Sequence, residues 1–199
     1  MVRDLRVCFV GDSFVAGVGD PRHLGWAGRL AARAHAAKLP LTSYNLGVRL
    51  QTSADVRARW RAECGLRLRD GDDLRVVFSF GVNDAMHVDG RPRVAPEESA
   101  ANLATMLGEA ATEGWPALVV GPPPIDDDGH NARTALLDEL FAEVCRDASA
   151  PYVSVRGPLL GSDVWTHEVR AGDGAHPGAD GYDVLADLVE PRWQEWLGY

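Results

Sequence analysis

Short apolar runs alternate with helix-like stretches along this chain, in units of roughly 30 residues. Each run is rich in β-branched or aromatic residues, and Gly, Pro or Asp flanks it. The runs predict five strands: Leu5–Val10, Leu41–Leu46, Leu74–Phe80, Ala117–Val120 and Tyr152–Val155. The intervening stretches predict helices: Gly25–Ala37, Ser53–Cys64, Pro96–Glu113, Ala132–Ala148 and a last helix from about Pro177, kinked or split in two at Pro191. This alternation predicts right-handed crossovers, and therefore a three-layer α/β/α sandwich around a mostly parallel, five-stranded sheet.

The composition is typical of one soluble globular domain spanning residues 1–199, with 46% hydrophobic and 25% charged residues. A net charge of -9 argues against nucleic-acid binding by a broad basic surface. No stretch approaches the ~20 apolar residues needed to span a bilayer, so we expect no stable membrane insertion. The N-terminus lacks a leader-like apolar region, and we expect a cytoplasmic protein. The cysteines, Cys8, Cys64 and Cys145, lack metal-ligand spacing and are interpreted as packed thiols.

Polar motifs follow four of the predicted strands. The first strand is followed by Ser13, the second by the segment 45–52, the third by Asn83, and the fifth by Asp173 and His176. Because the carboxyl ends of parallel strands meet at one edge of a sheet, we expect these side chains to converge there.

Together these residues can supply serine-based acyl transfer. A serine hydroxyl needs a base to accept its proton, the base needs an orienting group, and the developing oxyanion needs fixed donors. Asp173 and His176 are three residues apart, so one turn can aim the carboxylate at one imidazole nitrogen while the other nitrogen faces Ser13. By itself Ser13 can also be a helix N-cap or part of a phosphate-binding turn. A phosphate site needs neither Asn83 nor the Asp173 and His176 pair, so we favour catalysis.

Three motif blocks resemble those of the SGNH hydrolase superfamily, also called GDSL-type esterases or lipases. The blocks are Gly11-Asp12-Ser13-Phe14, with Phe where the family has Leu, Gly81-Val82-Asn83-Asp84 and Asp173-Gly174-Ala175-His176-Pro177. The resemblance implies a flavodoxin-like sandwich with Ser13 as the nucleophile, His176 as the base and Asp173 as its carboxylate partner. It also implies that the Asn83 amide and the Ser13 N–H donate to the oxyanion, with no metal or organic cofactor.

The block after the second strand departs from the family pattern. When its Asn and Thr-Ser ends are aligned, Leu50 occupies the position of the usual oxyanion-hole glycine. A positive φ at this position would strain leucine or shift the loop, whereas an ordinary φ would retain the backbone donor and narrow the pocket. We expect retention of the Leu50 donor, with Gly47 as the fallback donor.

One aromatic residue is a candidate for substrate binding. Trp165 falls in a predicted loop, residues 160–172, just before the Asp173 and His176 pair, where it can line the acyl or alcohol pocket. The remaining histidines have no comparable context and are interpreted as surface or packing residues: His23, His35, His87, His130 and His167.

The sequence therefore predicts a serine esterase that cleaves small-molecule carboxylic esters through an acyl-serine intermediate. The resemblance allows acetylated sugars, lysophospholipids, thioesters and small aryl esters, and the absence of a lid-like insertion favours short acyl groups or water-soluble esters. Two alternatives stay open. One is an acyltransferase that uses the same Ser13, and the other is a catalytically silent ligand-binding module, suggested by Leu50.

Overall fold

The computed structural model describes residues 3–199 and confirms the predicted sandwich. The strands are β1 (Leu5–Gly11), β2 (Leu41–Gly47), β3 (Asp73–Ser79), β4 (His87–Val88), β5 (Arg91–Pro92), β6 (Ala117–Val120) and β7 (Tyr152–Val153). The helices are α1 (Ser13–Ala16), α2 (Gly25–Ala36), α3 (Ser53–Gly65), α4 (Pro96–Glu113), α5 (Asp128–Asp147), α6 (Arg156–Leu160), α7 (Asp163–Ala171) and α8 (Ala179–Leu197).

The main sheet is parallel and has the strand order β2-β1-β3-β6-β7. If the short antiparallel hairpin of β4 and β5 is set aside, this is the doubly wound order of flavodoxin-like folds. Ligands of such sheets bind at the carboxyl edge, where the strand order reverses. Here that point lies beside β1, which is the strand that leads into Ser13.

Register aligns the carboxyl ends of the three strands that lead into the first three motifs. Gly11, the last residue of β1, pairs with Gly47 at the end of β2 and with Ser79 at the end of β3. The segments that begin after these residues therefore start at the same level of the sheet. This alignment brings Ser13, the loop after Gly47 and the loop that carries Asn83 to one edge.

Two apolar layers cover the sheet because neighbouring side chains of a strand point to opposite faces. In β1, Val7 and Phe9 belong to one core, and Cys8 and Val10 belong to the other. The first core takes Trp26 and Leu30 from α2 and Trp193 from α8, and the second takes Trp60 from α3, Leu103 from α4 and Phe141 from α5. Cys8, Cys64 and Cys145 are buried free thiols within this second layer.

All five predicted strands are present, but several other expectations were wrong. The segment predicted as a loop, residues 160–172, contains the end of α6 and the whole of α7. Helix α5 begins at Asp128, four residues before the predicted start at Ala132, because Asp127 caps it by accepting from the His130 N–H at 2.8 Å.

The last helix is not split in two at Pro191. One helix, α8, continues through that position. Proline removes a single intrahelical donor, whereas Trp193 and Leu197 beyond it are buried in the core and hold the following turns. Within residues 3–199, no helix has both the length and the apolar character needed to cross a membrane.

Candidate active site

Ser13 lies at the first position of α1, directly after β1. Asp12 caps this short helix, and its Oδ1 atom accepts the backbone N–H of Phe14 at 3.0 Å. The Ser13 N–H has no acceptor within the helix at this position, so it is free to face a ligand. Ser13 is largely buried, with 6% of the residue exposed.

The structure brings Ser13, His176 and Asp173 together in one chain of hydrogen bonds. Ser13 Oγ lies 2.8 Å from His176 Nε2, and His176 Nδ1 lies 2.7 Å from Asp173 Oδ2. The other carboxylate oxygen of Asp173 accepts the backbone N–H groups of Ala175 and His176 at 2.9 and 2.8 Å. The turn from Asp173 to His176 therefore fixes the carboxylate against the imidazole, as the three-residue spacing predicts.

Asp173 is held in its ionised form. Partial burial of this carboxyl acts to raise its pKa, but the hydrogen bonds from His176 and Ala175 outweigh burial and lower the pKa to about 2. The carboxylate consequently accepts hydrogen bonds at neutral pH and donates none.

His176 is also held by the ring of Phe14. The two ring centroids are 4.8 Å apart, and Phe14 stacks in turn on Trp165 with centroids 6.3 Å apart. Phe14 stands where the motif of the resembled family has leucine. Its ring supports His176, the candidate base, from the apolar side.

Asn83 lies in the loop after β3 and is 5% exposed. Its amide nitrogen donates to the Gln51 carbonyl at 3.0 Å and has a longer contact of 3.4 Å with Asp12 Oδ2. The amide therefore connects the loop after β3 to the loop after β2 and to the N-cap of the serine-bearing helix.

Two buried carboxyl groups flank Asn83. Burial raises the pKa of Asp12 to about 7, and the nearby Asp84 charge adds to this rise while the Phe14 N–H opposes it. Burial also raises the pKa of Asp84, which hydrogen bonds from Ser53 and Ser99 counteract. Asp84 accepts the Ser53 N–H at 3.0 and 3.1 Å and the Ser99 hydroxyl at 2.7 Å, so it connects the Asn83 loop to the starts of α3 and α4.

The backbone at Leu50 corrects the expectation of an ordinary φ. Leu50 has a φ of 64°, in the left-handed region that glycine occupies readily, and the residue is 64% exposed. Leucine has therefore kept the conformation expected of a glycine at this position. Its N–H makes no hydrogen bond to other residues in the range 3–199.

Gly47, the fallback donor, already has a hydrogen-bond acceptor within the loop, so its assignment to the oxyanion stays a prediction. Its N–H donates to the Asn45 side-chain oxygen at 3.0 Å. The absence of a side chain has a different use here, because a Cβ atom on Gly47 would collide with the backbone of Val15 and Ala16. Asn45 reinforces this close approach by donating its amide to the Val15 carbonyl at 2.7 Å.

Trp165 does not line a pocket beside the serine. It lies in α7, is 1% exposed, and donates its indole N–H to the Pro124 carbonyl at 3.1 Å. The earlier expectation failed because the helix turns this ring into the core, where it supports Phe14. Trp165 is therefore placed behind the candidate base.

Two arginines at the site were not anticipated from the sequence. Arg59 of α3 donates to the carbonyls of Gly11 and Leu46 at 3.0 and 2.9 Å, which clamps the ends of β1 and β2 together. Arg93, which follows β5, donates to the Leu50 carbonyl at 2.8 Å. Arginine is usually an exposed residue type, and no sequence motif marks these two positions. Their contacts are therefore seen only in the folded structure.

Comparison with known proteins agrees with this fold. The model of the GDSL-like lipase/acylhydrolase family matches residues 9–184. This match identifies a hydrolase that acts on ester bonds. The chain belongs to the GDSL-like lipase/acylhydrolase family. No curated protein matches the chain significantly.

Solved structures share the fold at low sequence identity. A lipase/acylhydrolase from Enterococcus faecalis superposes with a TM-score of 0.78 at 23% identity, covering 96% of both chains. TesA gives 0.79 at 23% identity, covering 96% of this chain and 99% of its own. Axe2, an acetylxylan esterase from Geobacillus stearothermophilus, gives 0.76 at 17% identity, covering 100% of this chain and 97% of its own.

Proposed function

We propose that this chain is a serine esterase that hydrolyses carboxylic esters through an acyl intermediate on Ser13. The single observation that carries the proposal is the continuous hydrogen-bond chain from Ser13 Oγ through both His176 nitrogens to Asp173, with distances of 2.8 and 2.7 Å. This arrangement has the nucleophile, base and orienting carboxylate in the order that serine-based acyl transfer needs.

The ionised Asp173 sets the tautomer of His176. Because the carboxylate accepts but does not donate, the Nδ1 atom of the neutral imidazole carries the proton, and the lone pair of Nε2 faces the Ser13 hydroxyl. His176 takes the hydroxyl proton as Ser13 Oγ attacks the ester carbonyl carbon. The imidazolium then returns a proton to the leaving alkoxide, which leaves an acyl group on Ser13.

Deacylation uses the same groups in reverse. His176 takes a proton from water, the resulting hydroxide attacks the acyl carbonyl, and Ser13 leaves with the proton returned from His176. The products are the free acid and the alcohol, and the enzyme returns to its starting state.

Three donors serve the oxyanion in this proposal: the backbone N–H groups of Ser13 and Leu50 and the side-chain amide of Asn83. The Ser13 N–H is unused by its helix, and the Leu50 N–H makes no hydrogen bond within residues 3–199. The longer contact of Asn83, 3.4 Å to Asp12, is the one that a developing oxyanion replaces. Fixed donors of this kind stabilise the charge that develops in the transition state.

We propose esters with short acyl groups as the substrate class, with acetyl esters as the first to test. One structural relative, Axe2, is an acetylxylan esterase.

The test is hydrolysis of p-nitrophenyl acetate by the wild-type protein and by Ser13→Ala, with fluorophosphonate labelling and intact mass as the second readout. We expect turnover and a single adduct in the wild type, and the loss of both in Ser13→Ala. Undiminished hydrolysis by the variant would contradict the mechanism. Product analysis with added glycerol separates hydrolysis from acyl transfer to an alcohol.

A further inference from the structure

Leu50 adopts a backbone conformation that its own side chain does not stabilise. A φ of 64° is unfavourable for leucine because the Cβ atom crowds the backbone, and such residues persist only where their surroundings hold them. Leu50 is 64% exposed, so packing around its side chain contributes little. Contacts to the backbone of the loop must therefore hold this conformation.

Backbone contacts hold the loop on both sides of Leu50. Before it, the Val48 N–H donates to the Gly11 carbonyl at 3.0 Å. After it, the Gln51 carbonyl accepts from Asn83 at 3.0 Å, and Thr52 begins α3 with a capping box. These contacts fix the ends of the loop but not the peptide group that follows Leu50.

Arg93 contacts that peptide group directly. Its Nη1 atom donates to the Leu50 carbonyl at 2.8 Å. If Leu50 relaxed to a negative φ, one of the two peptide groups next to it would have to rotate. A rotation of the group after Leu50 would break the Arg93 contact, and a rotation of the group before it would turn the Leu50 N–H away.

The hairpin of β4 and β5 holds Arg93 in place. The Arg93 N–H donates to the Met86 carbonyl at 2.9 Å, and the Val94 N–H donates to the Asp84 carbonyl at 3.2 Å. The same segment thus contacts the residue next to Asn83 and reaches Leu50. It couples two of the three proposed oxyanion donors.

Charge supports this placement of Arg93. Hydrogen bonds from Thr52 lower the pKa of Asp55, the acid of the α3 capping box, and the positive charges of Arg93 and Arg59 lower it further. The charge of Arg93 therefore acts on the carboxylate at the start of α3, which agrees with its hydrogen bond to the Leu50 carbonyl.

We infer that Arg93 is a positioning residue, which compensates for leucine at the glycine position of the oxyanion loop by holding the Leu50 carbonyl. The inference rests on the proposed function, because it assigns the Leu50 N–H to the oxyanion. It predicts that the need for Arg93 depends on which residue occupies position 50.

A double-mutant comparison tests this dependence. The proteins are the wild type, Arg93→Ala, Leu50→Gly and the double variant, with Arg91→Ala as the matched control. Arg91 belongs to the same hairpin, and its exposed side chain makes no hydrogen bond or ion pair to residues 3–199. The readouts are kcat and KM for p-nitrophenyl acetate, and hydrogen–deuterium exchange of residues 47–52.

We expect Arg93→Ala to lower kcat about five- to tenfold, with a smaller change in KM and faster exchange in the loop. In the Leu50→Gly background the same substitution should lower kcat less than about twofold, because glycine adopts the positive φ without support. Arg91→Ala should match the wild type in both readouts.

Equal losses in the two backgrounds, or no change in kcat and exchange, would overturn the inference. Absence of Ser13-dependent hydrolysis in the wild type would instead contradict the proposed function. In that event the exchange measurement still decides whether Arg93 holds Leu50, because it does not depend on turnover.

Discussion

Gly47 packs directly against Ala16, so that β2 ends in contact with the helix that carries Ser13. A Cβ atom added to Gly47 would overlap with the Ala16 backbone nitrogen and the Val15 carbonyl carbon. Neither atom belongs to a flexible side chain, so neither can move without shifting the serine.

We predict that Gly47→Ala destabilises the protein by about 1–3 kcal/mol and lowers kcat, because α1 must move away from β2. Denaturant unfolding and esterase kinetics measure the two effects. The matched control is Gly108→Ala in α4, where a Cβ atom meets nothing within 4 Å. That change should stabilise the helix by up to about 1 kcal/mol. Wild-type activity and stability in Gly47→Ala would contradict the close approach.

Asp173→Asn should lower kcat by about 10³–10⁴ while leaving the fold intact. Asparagine is uncharged, so it no longer holds the imidazole proton on Nδ1. His176 then loses the tautomer that leaves Nε2 free for Ser13. Steady-state kinetics and circular dichroism check this result. A loss below about tenfold would mean that Asp173 does not orient the base.

Asn83→Ala should lower kcat by about 10²–10³ and change KM much less, because an oxyanion donor acts mainly in the transition state. The variant also loses the 3.0 Å hydrogen bond to the Gln51 carbonyl, so unfolding should be measured in parallel. A rise in KM at constant kcat would show that Asn83 binds the substrate in its ground state instead.

Asp12→Asn should flatten the dependence of stability on pH. The pKa of Asp12 is about 7 in the folded protein and about 4 when unfolded, so the folded state binds this proton more tightly. Its contribution to the free energy of unfolding is fully present below about pH 4 and is lost as the pH rises through 7. Between pH 4 and pH 7 and above, the free energy of unfolding of the wild type should fall by up to ~4 kcal/mol more than that of the variant.

Denaturant unfolding at several pH values between 4 and 8 measures this difference. The slopes of the free energy of unfolding against pH are compared, because a pH-independent destabilisation from a side-chain amide at position 12, beside Asn83, does not change the slope. The control is Asp89→Asn, which changes an exposed acid in the β4–β5 turn and should preserve the wild-type slope. Parallel pH curves for the wild type and Asp12→Asn would contradict the prediction.

Trp165→Phe should cost about 1 kcal/mol of stability or slightly more, because it removes the hydrogen bond to Pro124 but keeps a ring against Phe14. The preference among nitrophenyl esters of different chain length should not change, since Trp165 is buried behind the base. A shifted chain-length optimum would restore Trp165 as a substrate-contacting residue.

The sequence predicts the sheet and the main hydrogen-bond chain of the site because both depend on local signals. Buried parallel strands are short apolar runs, and each motif begins where such a run ends. The Asp173 and His176 pair is contained within one turn, so its spacing alone indicates its geometry. The extent of the domain and the cytoplasmic location stay predictions.

Other features have weak local signals or depend on distant contacts. Helix α7 has the Ser162 N-cap as a local start signal, but it is nine residues long and buries only Trp165 and Val169, so its sequence resembles a loop. The β4–β5 hairpin has two-residue strands without hydrophobic alternation. The φ of Leu50 opposes the preference of leucine, and the contact that holds it comes from Arg93, 43 residues along the chain.

The hydrogen bond between Ser13 and His176 joins residues separated by 163 positions. During synthesis Ser13 is therefore made long before His176. On the proposed mechanism, Ser13 remains a weak nucleophile until the segment with His176 has left the ribosome and docked beside α1, so the order of translation itself delays the appearance of activity.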